Sequence, residues 1–118
     1  MKAFLKGDKA GSLKKFEAAL AEAPDDVESL INAAAAWSAT GKDAKALAAY
    51  EKAIARSLEI PSPQTRAAAA AALSSRASLH EKAKKTKEAK EDLARALQLA
   101  PPEWDQRAAV EKRLKGLG

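Results

Sequence analysis

Few residues of this chain have the type and spacing for catalysis. His80 is the single histidine in 118 residues and there is no cysteine, so a multi-histidine or thiolate metal site, a cysteine nucleophile and a disulfide are excluded. A lone histidine is a natural acid or base near neutral pH, but no serine and aspartate stand where they would complete a relay with His80. Asp25, Asp26 and Glu28 cluster closely enough to suggest paired acid and base work. Their place before an apolar-periodic run is better explained by helix initiation, where free N–H groups and the dipole favour negative charge. The stretch "GDKAG", Gly7–Gly11, has glycines without the spacing of a phosphate-cradling loop. The expectation is a protein that is not an enzyme and needs neither metal nor cofactor.

The remaining chemistry is electrostatic. Lys82, Lys84, Lys85, Lys87 and Lys90 crowd one short segment, with Lys84, Lys85 and Lys87 as a candidate patch for an acidic ligand. Glu81, Glu88, Glu91 and Asp92 are interleaved, and no aromatic or glycine stands among the lysines for base stacking. A solvated turn is the plainer reading, and nucleic-acid binding is disfavoured. The net charge of +5 is a mild bias toward acidic partners.

The elements that carry these residues follow from a repeat. Gly7 and Gly41, Leu13 and Leu47, Phe16 and Tyr50, Ala19 and Ala53, and Leu20 and Ile54 are all 34 residues apart. A third copy lies 43 beyond the second: Ala46, Tyr50, Ala53 and Ile54 find Ala89, Leu93, Ala96 and Leu97. The longer offset predicts about two extra helical turns ahead of the third copy, between Leu58 and Leu73. Each copy reads as two helices. In the second, Leu30, Ala33, Ala34 and Trp37 recur at helical spacing and Gly41 supplies a left-handed stop; the next helix sets Ala46, Leu47, Tyr50, Ala53 and Ile54 on one face. Ser62 before Pro63 starts a long helix over about 63–82. Alanines at the contacts let paired helices approach closely while Trp37 and Tyr50 fill the space between them. His80 falls in register with Trp37, which predicts a packed, structural histidine.

A period of 34, helix–turn–helix units and the closing prolines Pro24 and Pro101 resemble the tetratricopeptide repeat. Leu30, Ala33, Ala34 and Trp37 stand where that family has tryptophan, leucine, glycine and tyrosine; Ala46, Tyr50 and Ala53 stand at its alanine, aromatic and alanine. The third copy keeps Leu73, Ala77, Ala89, Leu93, Ala96 and Pro101 but has Lys84 at the turn glycine. The resemblance implies an all-α, right-handed solenoid of antiparallel helix pairs in one domain. Its parts would be a partial repeat over 1–24, repeats over 27–58 and 62–101, and a capping helix over 102–118 with Trp104, Ala108, Leu114 and Leu117 on its inner side. Only "MKAFLK" remains of the first copy's opening helix, too little to cover Leu13, Phe16 and Leu20.

The same resemblance implies a protein or peptide partner held in a concave groove walled by the first helix of each pair. The groove residues are then Glu28, Ile31, Asn32, Ala35 and Ser38 in the second copy, and Ala71, Ser74, Ser75, Ser78, Glu81 and Lys82 in the third. Asn32 matches an asparagine that many members use to bond a ligand backbone. Where the variant that grips acidic C-termini has basic residues, this chain has Ala71 and Ser75. The alternative functions are a homo-oligomeric assembly unit stacked through its open N-terminal face and, less favoured, a basic nucleic-acid binder. Apolar residues are 47% of the chain, charged residues 31%, with only 5 Gly and 5 Pro, the balance of a globular helical domain. No run of about 18 apolar residues could span a membrane and no signal-peptide core is seen, so a cytoplasmic location is expected.

Overall fold

The computed structural model describes residues 9–117. Its regular elements are all helices: α1 (Lys9–Glu22), α2 (Val27–Ala39), α3 (Asp43–Ser57), α4 (Pro63–Lys82), α5 (Thr86–Leu99) and α6 (Arg107–Leu117). The described chain is therefore all-α. It divides into two compact units, one ending at Ala53 and the other beginning at Ile54, with the boundary inside α3.

Helix starts reproduce both sequence offsets: Lys9 and Asp43 are 34 apart, Asp43 and Thr86 are 43 apart. The added length falls mostly on α4, which has 20 residues against 13 in α2. Those seven extra residues are about two turns. They run beside the loop that leaves α5, where Pro63, Gln64 and Ala67 share a shallow depression with Pro101, Glu103 and Trp104.

Local chemistry sets the starts. Asp26 caps α2, its Oδ2 accepting from the Ser29 amide at 2.9 Å and the Ser29 hydroxyl at 2.8 Å. At α4 the Ser62 Oγ accepts from the Thr65 amide at 3.1 Å while Thr65 Oγ1 accepts from the Ser62 amide at 2.7 Å, a reciprocal box with Pro63 in the first turn.

The stops of α2 and α4 share one design. Lys42 N–H donates to the Trp37 carbonyl at 2.8 Å and Gly41 N–H to that of Ser38 at 3.2 Å; forty-three residues on, Lys85 N–H donates to His80 at 2.7 Å and Lys84 N–H to Glu81 at 2.9 Å. Each is a Schellman closure, which demands a left-handed residue at the fifth position. Gly41 has φ 82 and Lys84 has φ 63. The departure from glycine at Lys84 thus leaves the turn intact, with a lysine held in a backbone region that disfavours a Cβ.

Buried positions repeat with the same register. Leu30, Ala34, Ala46, Tyr50 and Ala53 are buried, and so are Leu73, Ala77, Ala89, Leu93 and Ala96. In the second unit Ala77, Ala89, Leu93 and Val110 form a core against which Leu97, Trp104, Leu114 and Leu117 pack. Here one expectation is corrected. Val110, not Ala108, anchors α6: Ala108 faces solvent because it lies two residues, about 200° of helical rotation, away from Val110. Leu13 is buried and Phe16 and Leu20 are half-buried, whereas Ala19 is exposed although its counterpart Ala53 is not. The expectation about "MKAFLK" lies outside the described residues.

Arg107 fixes the entry to α6. Its Nη2 donates to the Ala100 carbonyl at 2.8 Å and the Pro101 carbonyl at 3.3 Å, placing a cation on the free carbonyl end of α5.

Candidate functional site

Burial of Leu30, Ala33, Ala34 and Ala36 settles which way α2 faces. What it leaves toward water is Glu28, Asn32 and Ala35, with Ile31 and Ser38 half-buried beside them. Steps of three and four residues put these five on one side of the helix, so the structure brings the expected second-copy groove residues together. The Asn32 side chain makes no hydrogen bond among the described residues, leaving its amide donor and acceptor both available.

The third-copy residues have a different environment. Ser78 and Lys82 are exposed and Ala71, Ser75 and Glu81 half-buried, but Ser74 is buried. The cause is Arg113 of α6: Nη1 donates to Ser74 Oγ at 2.9 Å, and Nη2 to Ser78 Oγ at 3.0 Å and Glu81 Oε2 at 2.6 Å. One guanidinium thus engages three of the residues expected to meet a ligand, and the α4 wall is in large part taken by the chain's own last helix. The sequence pattern carried a faint signal of this, since Arg113 lies three residues after Val110 and flanks the inner side of α6.

His80 has the structural setting its register suggested. It is half-buried, with Nε2 3.5 Å from Asp92 Oδ2. Asp92 is buried, and Arg76 donates to both its oxygens, Nε to Oδ2 at 2.8 Å and Nη2 to Oδ1 at 2.7 Å. The fork ties α4 to α5 and occupies the carboxylate from both sides. Along the sequence Asp92 stands only as one of the acids among the lysines; its partner lies sixteen residues back, on the other helix of the pair.

The first unit also has a concave feature that lies on none of the expected groove residues. Leu20, Pro24, Leu30, Trp37, Ala48 and Ala49 line an open apolar depression of about 440 Å³, rimmed by Lys45 and Lys52. The Trp37 indole N–H donates to Glu17 Oε2 at 2.9 Å, Lys45 Nζ sits 5.8 Å from the ring centroid, and Lys52 pairs with Asp25 at 3.0 Å. Three helices contribute to it, which is why no single periodic pattern reveals it.

Lys82, Lys84, Lys85 and Lys87 are exposed around the α4–α5 turn. No cluster of three or more His, Asp or Glu residues that could hold a metal occurs among the described residues, and no described helix is long and apolar enough to cross a membrane. Comparison with models of known protein families gives no match, and comparison with curated proteins gives none either.

Proposed function

We propose that this chain is a non-enzymatic helical-repeat module of tetratricopeptide-like solenoid plan, which binds a peptide or helix of a partner protein along the α2 face that carries Asn32. The supporting observation is duplication: two helix pairs share the starts of their second helices, Schellman closures and buried positions at a constant offset of 43. In stacked helix pairs each pair supports its neighbours, so faces not consumed by packing become a continuous binding surface. On α2 that face offers an amide able to bond a ligand backbone in both directions, and Ala35, small enough to let the backbone come close. Binding there rests on shape and a few hydrogen bonds, so its salt dependence is modest.

The test is affinity capture from a lysate with wild type, an Asn32→Ala/Ala35→Arg variant and Lys112→Ala as an off-face control. Both substituted α2 positions are exposed, so the fold should survive, as circular dichroism can verify. The expected outcome is that a partner kept by wild type and control is lost from the α2 variant. Equal capture by all three overturns the reading. Ser78→Arg is a poor probe, because it would crowd a second guanidinium against Arg113.

A further inference from the structure

The two Schellman turns share a backbone and differ in charge. Positions 39–44 hold Ala39, Thr40, Gly41, Lys42, Asp43 and Ala44, which carry no net charge; the register-equivalent positions 82–87 hold Lys82, Ala83, Lys84, Lys85, Thr86 and Lys87, four positive charges with no acid. The fold accounts for only one of the four. Lys82, in the last turn of α4, complements the helix dipole. Lys84 occupies the left-handed position that Gly41 fills without strain. Lys85 stands at the cap of α5 without making a side-chain cap bond, and with Lys87 it sets positive charge against the positive end of the dipole.

Neighbouring acids do less to neutralise this turn than their number suggests. Glu81 is engaged by Arg113, and Asp92 by Arg76. Among the described residues no carboxylate pairs with Lys84, Lys85 or Lys87. Three exposed ammonium groups unneeded by the backbone, with two of the four neighbouring acids held by arginines, form a patch whose complement is a run of carboxylates.

We propose that the α4–α5 turn is a docking surface for an acidic, Asp/Glu-rich segment of a partner protein. A lysine is a point charge on a flexible stem and takes carboxylates with little demand on their geometry. A nucleic-acid strand is the poorer fit, since no aromatic ring lies in the turn to stack a base, and the nearest ring, His80, is half-buried against Asp92. This surface is separate from the α2 face and stands or falls independently of it.

The experiment uses the full chain and a fluorescently labelled deca-glutamate peptide, read by anisotropy. The informative variant, Lys82→Ala/Lys84→Gly/Lys87→Ala, gives the turn the residue types of its own counterpart at 39, 41 and 44, and glycine at the left-handed site protects the fold. Lys14→Ala/Lys15→Ala/Lys112→Ala removes the same charge from other exposed sites. Wild type and the off-site variant should bind the peptide, weakening about tenfold between low and physiological salt, while the turn variant loses at least about tenfold in affinity at low salt. Asn32→Ala/Ala35→Arg should bind the peptide like wild type, which separates this result from any failure of the α2 face. Equal loss in the turn and off-site variants would reduce the effect to net charge and overturn the proposal. So would undiminished binding by the turn variant, or tighter turn-dependent binding of a single-stranded oligonucleotide of equal charge.

Discussion

The α2–α3 and α4–α5 hairpins use one backbone plan and fix it differently. At the register positions where the second has the half-buried Arg76 and the buried Asp92, the first has Ala33 and Ala49, both buried. Where the second has His80 against that carboxylate, the first has Trp37, its ring under Lys45 and its N–H on Glu17. One pair is closed by small side chains and an aromatic, the other by a half-buried arginine on a buried carboxylate. The repeat thus constrains turn and spacing, while the length of the first helix and the means of locking the pair are free to vary. A forked arginine contact gives the second hairpin a directional lock, at a desolvation cost that the alanines of the first never incur.

The sharpest way to break this comparison is Asp92→Ala. Removing the carboxylate to which Arg76 Nε and Nη2 donate should cost about 2 kcal/mol in urea unfolding. Adding Arg76→Ala gives the second hairpin the alanines of the first and should recover most of that loss. A double variant as unstable as the single one would mean that the two hairpins are not interchangeable at these positions. A smaller effect, of opposite sign in the two turns, comes from the left-handed residue. Gly41→Ala should destabilise by about 1 kcal/mol and Lys84→Gly stabilise by a similar amount. Thermal unfolding of both variants checks this, and shifts of the same sign would break the equivalence of the turns.

The smallest effect distinguishes the starts of α2 and α4. The bonds that Asp26 accepts from the Ser29 amide and hydroxyl hold its carboxyl below the usual carboxylate range. A depressed folded pKa contributes stability that is fully present above the ordinary value, about 3.9, and is lost as pH falls through the lower folded one. The Ser62 box contains no carboxylate and has no such dependence. In an acid titration by NMR the Ser29 amide should shift below about pH 4 while Thr65 stays still. A constant Ser29 amide would contradict the assignment.

Much of this arrangement is legible in the sequence. Asp26 and the Ser62–Pro63 pair mark helix starts because capping is local, involving residues three apart. The offsets of 34 and 43, the alanines and Tyr50 gave the helix pairs and their buried sides because helical periodicity is written along the chain. The α2 stripe through Asn32 followed by subtraction of the buried side. The α4 stripe did not survive the same subtraction, because Ser74, Ser78 and Glu81 meet Arg113 from more than thirty residues away.

By itself, then, the sequence determined an all-α chain, its repeat register, the starts of α2 and α4 and the turns at Gly41 and Lys84, since each depends on short-range periodicity, capping or left-handed backbone preference. Tertiary structure alone decided that Asp92 belongs to Arg76 and Glu81 to Arg113, that Val110 rather than Ala108 anchors the last helix, and that Lys84, Lys85 and Lys87 keep no carboxylate partner among the described residues. Those outcomes depend on which side chains from distant segments reach the same point. Charge pairing reaches across space, and spacing along one chain does not encode it.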